Sequence, residues 1–375
     1  MSKKILIIAG ESSGDLYGAH LVSAIKDKHP GAIFSGIGGS RMKDAGVEIL
    51  YPIDELAIIG VTEILSKIKV IQKAFLLLKK KVDEEKIDLA ILVNYPGFNL
   101  RFAKVLKAKN IPVVFYSSPQ VWAWGRWRLR NIKRFVDKMI VFFKFEEDFY
   151  RRNGIEAEFV GHPLIDIVKL KAGDAGIKNN VSSKTVSLAP GSRRSEINNL
   201  LATMLEAARI MHSENKDIRF IITKHAQLPP EIYLEKIQKY KLPLTLVDGK
   251  TYDCLAASDL AIVVSGSITL EAMILKMPMI IVNKTSVVNG LLYLLFVRLA
   301  NIGLVNIIAG KRIVPELLQY NATPRNIANE AMDILTDRER YKKMKRELES
   351  VNKLVGPPGA SERAATLISS LLGQG

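Results

Sequence analysis

Short apolar runs that alternate with helical segments are the feature that most restricts how this chain can fold. The first run, Lys4–Ala9, ends at a glycine and precedes an amphipathic helical pattern over 15–28. Further β-branched or aromatic runs lie at 34–37, 89–93, 113–116, 138–142 and 158–160. Strands separated by helical stretches form βαβ units around a parallel sheet. This part of the chain is therefore predicted to be a doubly wound α/β domain.

The same pattern restarts after a segment rich in glycine, asparagine and serine at 169–184. Strands are predicted at 186–189, 220–222, 244–247, 260–264 and 279–282. We predict a first domain over 1–168, a linker over 169–184, a second domain over 185–340 and C-terminal helices over 341–375. Two Rossmann-like domains facing a cleft are the expected architecture. The last helices then pack on the first domain or on a second subunit, so a homodimer stays open.

Charge and residue usage narrow the classes of partner. The chain has 54 Lys and Arg against 38 Asp and Glu, a net charge of +16, which favours nucleic acid, an anionic membrane or a phosphorylated substrate. The single Cys254 excludes an intrachain disulfide and fits a reducing cytoplasm. The five histidines lack metal-ligand spacing, so no metal site is predicted.

Three patterns argue against other protein classes. The apolar stretch at 5–9 is too short for a signal peptide. The run at 287–305 contains Arg298, so it is interpreted as a buried or surface-lying helix rather than a membrane span. The glycines at 36–39 lack the third glycine of a dinucleotide fingerprint, where Arg41 stands instead, which argues against a nicotinamide enzyme.

Loops that follow the strands carry the candidate site residues, because ligands of doubly wound sheets bind at the carboxyl ends of the strands. The first loop reads Gly-Glu-Ser-Ser-Gly-Asp at 10–15. Its Gly-x-Ser-x-Gly pattern is also that of a hydrolase nucleophile elbow, but only the first strand precedes it. A helix-capping turn and a loop that admits a polar substrate both remain open. Asn94 follows the strand at 89–93, where a catalytic group would lie, although an amide cannot usefully take up a proton.

Two strand-to-helix turns in the second half are candidates for a diphosphate site. Their polar and small residues are Gly191, Ser192, Arg193, Arg194, Ser265, Gly266, Ser267, Thr269 and Glu271. Backbone amides at a helix start, together with arginine, bind phosphate. An acidic residue one turn into a helix can accept ribose hydroxyls. Plain helix capping remains an alternative for each turn on its own.

Two basic segments are candidates for a surface contact. Residues 61–82 place Ile64, Leu65, Ile68, Ile71, Phe75 and Leu78 at helical spacing, with Leu76, Leu77 and six lysines around them. Such a helix can lie in an anionic membrane interface or pack on the core with a lysine face. The tryptophan-containing segment at 117–124 and the five basic residues within 126–134 allow base stacking, headgroup contact or a solvated helix.

Taken together, these motifs resemble the lipid-A-disaccharide synthase family of inverting GT-B glycosyltransferases. The resemblance runs over about 5–319. It is carried by Gly-Glu-Ser-Ser-Gly-Asp at 10–15, Pro-Gly-Phe-Asn at 96–99, Ser-Pro-Gln-Val-Trp-Ala-Trp at 118–124, Gly-His-Pro at 161–163, Pro-Gly-Ser-Arg at 190–193, Ser-Gly-Ser-Ile-Thr-Leu-Glu at 265–271, Asn-Ile-Ile-Ala-Gly at 306–310 and Pro-Glu-Leu-Leu-Gln at 315–319. Each motif alone is weak, whereas their order and spacing are specific.

The resemblance implies that 2,3-diacylglucosamine is transferred from UDP to 2,3-diacylglucosamine 1-phosphate, giving a β-1,6 disaccharide phosphate and UDP with inversion. It implies no cofactor, no metal and no nucleic-acid partner, and work at the inner face of the cytoplasmic membrane. Arg193 then binds the diphosphate with help from Arg194, Glu271 holds the ribose, and Asn306 lies in the nucleotide-side motif. Ser13, Gly14 and Asp15 face the sugar.

The resemblance also exposes one departure. The family usually carries an aspartate, the favoured general base, where this chain has Asn94. Asp15, Glu11 or His20 then remains as the base, or the chain is a weakly active binder of nucleotide sugar or lipid. Two other hypotheses stay open at this point. One is another nucleotide-sugar enzyme, such as a UDP-N-acetylglucosamine transferase or epimerase, and the other is a non-enzymatic binder of anionic lipid or nucleic acid.

Overall fold

The computed structural model describes residues 2–56, 68–171, 183–226, 228–284 and 301–373 and contains two parallel sheets. The chain divides into two compact units, Met1–Pro163 with Val355–Gly375 and Leu164–Leu354. The predicted α/β class with two doubly wound sheets is confirmed. Most of the predicted linker, and residues 287–300 of the long apolar run at 287–305, lie outside the described residues.

The first unit contains a seven-stranded sheet in the order β3-β2-β1-β4-β5-β6-β7. The strands are β1 Lys4–Ala9, β2 Ile33–Gly38, β3 Val47–Pro52, β4 Leu89–Val93, β5 Val113–Tyr116, β6 Lys138–Val141 and β7 Ala157–Phe159. The central strands β1, β4 and β5 are apolar and buried almost throughout because helices cover both faces. The strand order reverses direction between β1 and β4, which is the position where doubly wound sheets bind ligands.

Helices of the first unit follow the strands in the predicted rhythm. They are α1 Ser12–Lys28, α2 Ser40–Asp44, α3 Ile53–Leu56, α4 Ile68–Glu84, α5 Pro96–Ala108, α6 Leu129–Phe135 and α7 Lys144–Arg152. Phe102 of α5 is fully buried and packs edge-on against Phe75 of α4, with ring centroids 5.2 Å apart. This contact anchors α4 to the core.

The second unit contains a six-stranded sheet in the order β10-β9-β8-β11-β12-β13. The strands are β8 Thr185–Ala189, β9 Arg219–Lys224, β10 Leu244–Asp248, β11 Leu260–Val264, β12 Met279–Asn283 and β13 Glu316–Leu318. The helices are α8 Leu164–Lys171, α9 Arg194–Glu214, α10 Glu231–Ile237, α11 Thr251–Ala256, α12 Ile268–Ile274, α13 Leu304–Ala309, α14 Pro324–Thr336 and α15 Arg338–Asn352. The order reverses between β8 and β11, so this sheet has its own ligand-binding position.

The last helix, α16 Ala360–Leu372, belongs to the first unit although the chain reaches it after completing the second. It packs against α1, and His29 Nε2 at the end of α1 lies 2.9 Å from Ser369 Oγ. The Arg363 guanidinium donates to the Val160 carbonyl, 2.6 Å away, and so ties this helix to the end of β7. The first unit is therefore assembled from both ends of the chain.

Sequence reasoning missed two edge strands, β3 and β13. β13 is only three residues long, and Pro315 immediately precedes it, so no apolar run marks it.

Helix α5 begins at Pro96 rather than near residue 100, because proline at the first helical position is a start signal that also resembles a turn. Residues 169–171, assigned to the predicted linker, continue α8.

Candidate active site

The first candidate site lies where β1 and β4 end side by side. Ala9 is paired with Val93, so the loop that begins at Gly10 emerges beside Asn94. Asn94 Nδ2 lies 3.5 Å from Ser13 Oγ. The structure thus brings Asn94 and the 10–15 loop together, with Glu11 and Ser13 half-buried and Gly14 packed against the strands.

The backbone at Asn94 is held in an unusual conformation. Asn94 and Tyr95 have φ of 51° and 49°, in the left-handed region where asparagine is tolerated and tyrosine is a genuine outlier. The buried Asn99 side chain donates from Nδ2 to the Asn94 carbonyl at 2.7 Å and fixes this turn. Strain of this kind, supported by its surroundings, is typical of functional positions.

Asp15 has a different environment from the one that a base needs. Its carboxylate is buried and accepts backbone N–H groups from Gly39 at 2.7 Å, Met42 at 3.1 Å and Arg41 at 3.2 Å. These are the orphan donors at the start of α2, so Asp15 caps that helix. Both carboxylate oxygens of Asp15 are therefore engaged by the protein itself.

Glu146 is a buried carboxylate that sequence reasoning missed. It accepts hydrogen bonds from Ser118 Oγ at 2.7 Å and Trp122 Nε1 at 3.1 Å, and from the backbone N–H groups of Phe142 and Phe143. Burial raises the pKa of Glu146 from 4.5 to about 7, against the lowering effect of these donors. Its position three residues after Phe143, at the start of α7, is the acidic half of a capping box and was the available signal. Glu146 thereby connects α7 to the tryptophan loop that follows β5.

The raised pKa of Glu146 predicts a pH-dependent stability. A carboxyl whose folded pKa exceeds its unfolded value contributes stability below the unfolded pKa and loses it as the pH rises through the folded pKa. From pH 4.5 to about 7, we expect the wild type to lose about 3 kcal/mol of unfolding free energy relative to Glu146→Gln. Urea unfolding of both proteins across this range measures the difference. A pH-independent difference would contradict the assignment.

The second candidate site lies where β8 and β11 end side by side. Ala189 is paired with Val263, so the turns at 190–193 and 265–267 emerge from neighbouring strands about 5 Å apart. The structure therefore brings Gly191, Ser192 and Arg193 to the same sheet edge as Ser265, Gly266 and Ser267. This is the predicted pairing of turns, at the point where the strand order reverses.

Glu196 occupies part of the first of these turns. Its carboxylate accepts the N–H groups of Ser192 at 2.9 Å and Arg193 at 3.2 Å, and it pairs with the exposed Arg193 guanidinium at 2.8 Å. Gly191 has φ of 125°, and a Cβ there would lie 2.2 Å from the Glu196 carboxylate. An internal carboxylate thus makes the contacts expected for a phosphate. Arg194 is also exposed at the start of α9.

The second turn is organised by its own side chains. Ser267 Oγ donates to Glu271 Oε1 at 3.0 Å, and the buried Thr269 donates from Oγ1 to the Gly266 carbonyl at 2.8 Å. Glu271 is half-buried one turn into α12. Thr269 stabilises the turn rather than presenting its hydroxyl.

Asn306 is fully buried and makes four side-chain hydrogen bonds. Its Nδ2 donates to the Val314 carbonyl at 2.9 Å and to Glu316 Oε1 at 2.8 Å, and its Oδ1 accepts the N–H groups of Ile313 and Val314. An amide side chain has no further capacity. Asn306 therefore braces the backbone just before β13, and its partner Glu316 belongs to the motif at 315–319, where sequence reasoning assigned it no role.

His162, in the Gly-His-Pro motif, is enclosed by aromatic rings. The centroids of Tyr17, Phe142 and Phe143 lie 5.0–5.4 Å from its own. Burial lowers the pKa of His162 to about 3, so the ring is neutral near pH 7. Among the described residues, no three His, Cys, Asp or Glu side chains gather where they could hold a metal ion.

Comparisons with known proteins point to one family. A sequence profile described as lipid-A-disaccharide synthetase matches residues 5–368. The lipid-A-disaccharide synthase of Syntrophus aciditrophicus (strain SB) is 42% identical over 99% of this chain and 98% of its own length.

Solved structures share the fold at low identity. The UDP-GlcNAc 2-epimerase from Neisseria meningitidis bound to UDP-GlcNAc has a TM-score of 0.66 at 13% identity, over 98% of this chain and all of its own. The calicheamicin glycosyltransferase CalG4 has a TM-score of 0.62 at 12% identity, over all of this chain and 99% of its own. At these identities the structures support the GT-B fold alone.

Proposed function

The chain belongs to the lipid-A-disaccharide synthetase family and is a glycosyltransferase of lipid A disaccharide synthesis, and we propose that each of its two sheets binds one substrate. The second sheet binds UDP-2,3-diacylglucosamine, and the first binds 2,3-diacylglucosamine 1-phosphate. The acceptor 6-hydroxyl attacks the anomeric carbon, the bond to UDP breaks, and the new β-1,6 linkage has inverted configuration. Full-length identity of 42% to a synthase carries this assignment, whereas the epimerase fold likeness rests on 13% identity.

On the donor side, the paired turns after β8 and β11 hold the diphosphate. Arg193 supplies a charge-assisted hydrogen bond to a leaving group that gains negative charge as the glycosidic bond breaks. Backbone N–H groups of the Ser265–Ser267 turn at the start of α12 supply further donors, and Glu271 accepts from the ribose. Donors of this kind offset the diphosphate charge without a metal ion or another cofactor.

On the acceptor side, Asn94 and Ser13 orient the attacking hydroxyl at the end of β4. Asn94 can accept or donate a hydrogen bond there but cannot remove the proton. We assign proton removal in this chain to Glu11, a half-buried carboxylate of the loop that contains Ser13. The hydroxyl proton passes to this carboxylate as the new bond to the anomeric carbon forms.

Product analysis tests the reaction directly. The protein is incubated with UDP-2,3-diacylglucosamine and 2,3-diacylglucosamine 1-phosphate, and mass spectrometry detects the tetraacyl disaccharide 1-phosphate. We expect that product together with UDP. Unreacted donor alongside an active control enzyme would contradict the transferase assignment and favour a binding role.

We propose further that the first unit docks on an anionic membrane surface, where both acylated substrates reside. The apolar residues of α4 do not all face the same way in the structure. Phe75 and Leu78 pack into the core, whereas Leu76 and Leu77 are 65% and 37% exposed among lysines. Residues 61–67 of the predicted segment lie outside the described residues. Exposed leucines beside lysines suit a lipid headgroup zone.

A second exposed cluster lies on the same side of the first sheet. Trp127 is 68% exposed, and the Arg128 guanidinium lies 4.2 Å from the centroid of the Trp124 ring. Helices α4 and α6, the latter directly following this cluster, both pack against α5. Tryptophan and arginine side by side are suited to the membrane interface. Among the described residues, no helix is long and apolar enough to span a bilayer.

The double change Leu76→Ser and Leu77→Ser is expected to weaken binding to vesicles that contain phosphatidylglycerol by tenfold or more, since each buried leucine contributes about 1.5–3 kcal/mol. Co-sedimentation measures the bound fraction. Leu234→Ser, on the exposed face of α10 in the second unit, is the matched control and should bind like the wild type. Equal binding by all three proteins would exclude α4 from the docking surface.

A further inference from the structure

Glu316, at the start of β13, is a buried carboxylate with no role in the reaction described above. We propose that it is a positioning residue, which holds the Ser265–Ser267 turn in the shape that binds the UDP diphosphate. This inference deepens the proposed donor site and rests on it.

Glu316 fixes the backbone that leads into α13. Its Oε2 accepts the Ile302 N–H at 2.9 Å, and its Oε1 accepts the Gly303 N–H at 3.0 Å. Gly303 approaches closely, since a Cβ there would lie 2.2 Å from Ile281 Cδ1 and 3.2 Å from Glu316 Oε1. The N–H groups of Ile302 and Gly303 both donate charge-assisted hydrogen bonds to the Glu316 carboxylate. These two bonds hold the peptide between Ile302 and Gly303 in a single orientation.

Asn306 locks Glu316 in place. Its Nδ2 donates to Glu316 Oε1 at 2.8 Å, while its remaining hydrogen bonds secure residues 313 and 314 just before β13. Glu316 also lies in register with Ile281 of β12, so its backbone is set by the sheet. A buried network in which each member is satisfied is rigid.

The peptide between Ile302 and Gly303 contacts the proposed donor site through Ser265. Ser265 Oγ donates to the Ile302 carbonyl at 3.3 Å. Ser265 directly follows β11, the strand whose neighbour β8 leads into the Arg193 turn. Without Glu316, the Ile302 peptide can rotate and Ser265 loses its acceptor, so the turn no longer presents a preformed set of donors. Preorganised donors bind better because they pay no ordering cost on binding.

The test measures UDP affinity by calorimetry for the full chain and for Glu316→Gln. Glutamine keeps the size but replaces one acceptor oxygen with a donor, so at least one of the two N–H groups loses its partner. We expect UDP to bind roughly tenfold more weakly, the loss typical of one buried bond to a charged group. In steady-state kinetics, KM for the UDP sugar should rise while KM for the acceptor stays unchanged.

Asp259→Asn is the matched control. Asp259 accepts the Thr185 N–H at 2.9 Å and so joins β8 to β11 at the amino-terminal edge of the sheet, opposite the two turns. The Asp259→Asn protein should be less stable than the wild type but should bind UDP with the same affinity. Should Glu316→Gln fail to fold, Glu316→Asp keeps the charge at a shorter reach and should show a smaller loss in the same direction.

The outcomes separate the two proposals. A wild type that binds UDP, with a weakened Glu316→Gln and an unchanged Asp259→Asn, supports the inference. Equal affinity of Glu316→Gln and wild type, or equal losses in both variants, overturns the positioning role but leaves the donor site standing. A wild type with no affinity for UDP overturns the donor site and the inference with it.

Discussion

Asn94→Asp is expected to raise kcat by up to roughly 10²–10⁴-fold, the full contribution of a positioned general base. The aspartate would occupy a strand end beside Ser13, where the hydroxyl to be deprotonated is proposed to lie. The left-handed backbone at this position tolerates aspartate as well as asparagine, so the fold should be unaffected. Continuous measurement of UDP release gives the rate, and an unchanged rate would remove this position from the base role.

Glu11→Gln provides the complementary comparison. If Glu11 serves as the base in the present chain, its loss should abolish most of the residual turnover. The same change introduced together with Asn94→Asp should cost little, because the new aspartate has taken over. A large loss in both backgrounds would instead indicate that Glu11 orients the acceptor.

Arg193→Ala is expected to lower kcat/KM by roughly 10²–10³-fold, as the loss of one donor to a developing negative charge does. Arg193→Lys should recover only part of this activity, since an ammonium cannot form the paired hydrogen bonds of a guanidinium. Unfolding midpoints should stay close to the wild type, because an exposed ion pair contributes little stability.

Arg209→Ala is the control on the same helix. Like Arg193, Arg209 is exposed and pairs with a glutamate three residues away, at 2.6 Å from Glu206. It lies well inside α9 rather than at its start. Equal activity of the Arg193 and Arg209 variants would show that the 190–193 turn does not bind the UDP leaving group.

Strong local signals made the central strands predictable. β1, β4, β5 and β11 match their predicted bounds because continuous apolar runs buried on both faces leave a clear pattern. β13 escaped because it contains three residues whose only apolar signal is Leu317-Leu318. The division of the apolar face of α4 between core and surface depends on Phe98 and Phe102, which are distant in sequence.

The location of the candidate sites was predictable from the sequence, but the hydrogen-bond partners of individual side chains were not. Parallel sheets place the loops that follow their strands at one edge, so both loops were expected there. That Asn94 lies beside Ser13 follows from the pairing of β1 with β4, which was not predicted. Asp15 and Asn306 were predicted to face substrate, and the structure shows both engaged with the protein itself. Apart from Glu316, their partners are backbone N–H and C=O groups at 39–42 and 313–314, which every residue type carries and which no sequence pattern reveals.

The two-part construction of the first unit has a consequence for synthesis. Helix α16 can cover its side of α1 only after the ribosome has added all of Leu164–Leu354 and the final residues. At about 5–20 residues per second, this takes roughly 10–40 s. During that interval the apolar surface of the first unit that α16 later covers is exposed, and chaperones can bind it. The second unit is synthesised completely before α16 and can therefore fold first.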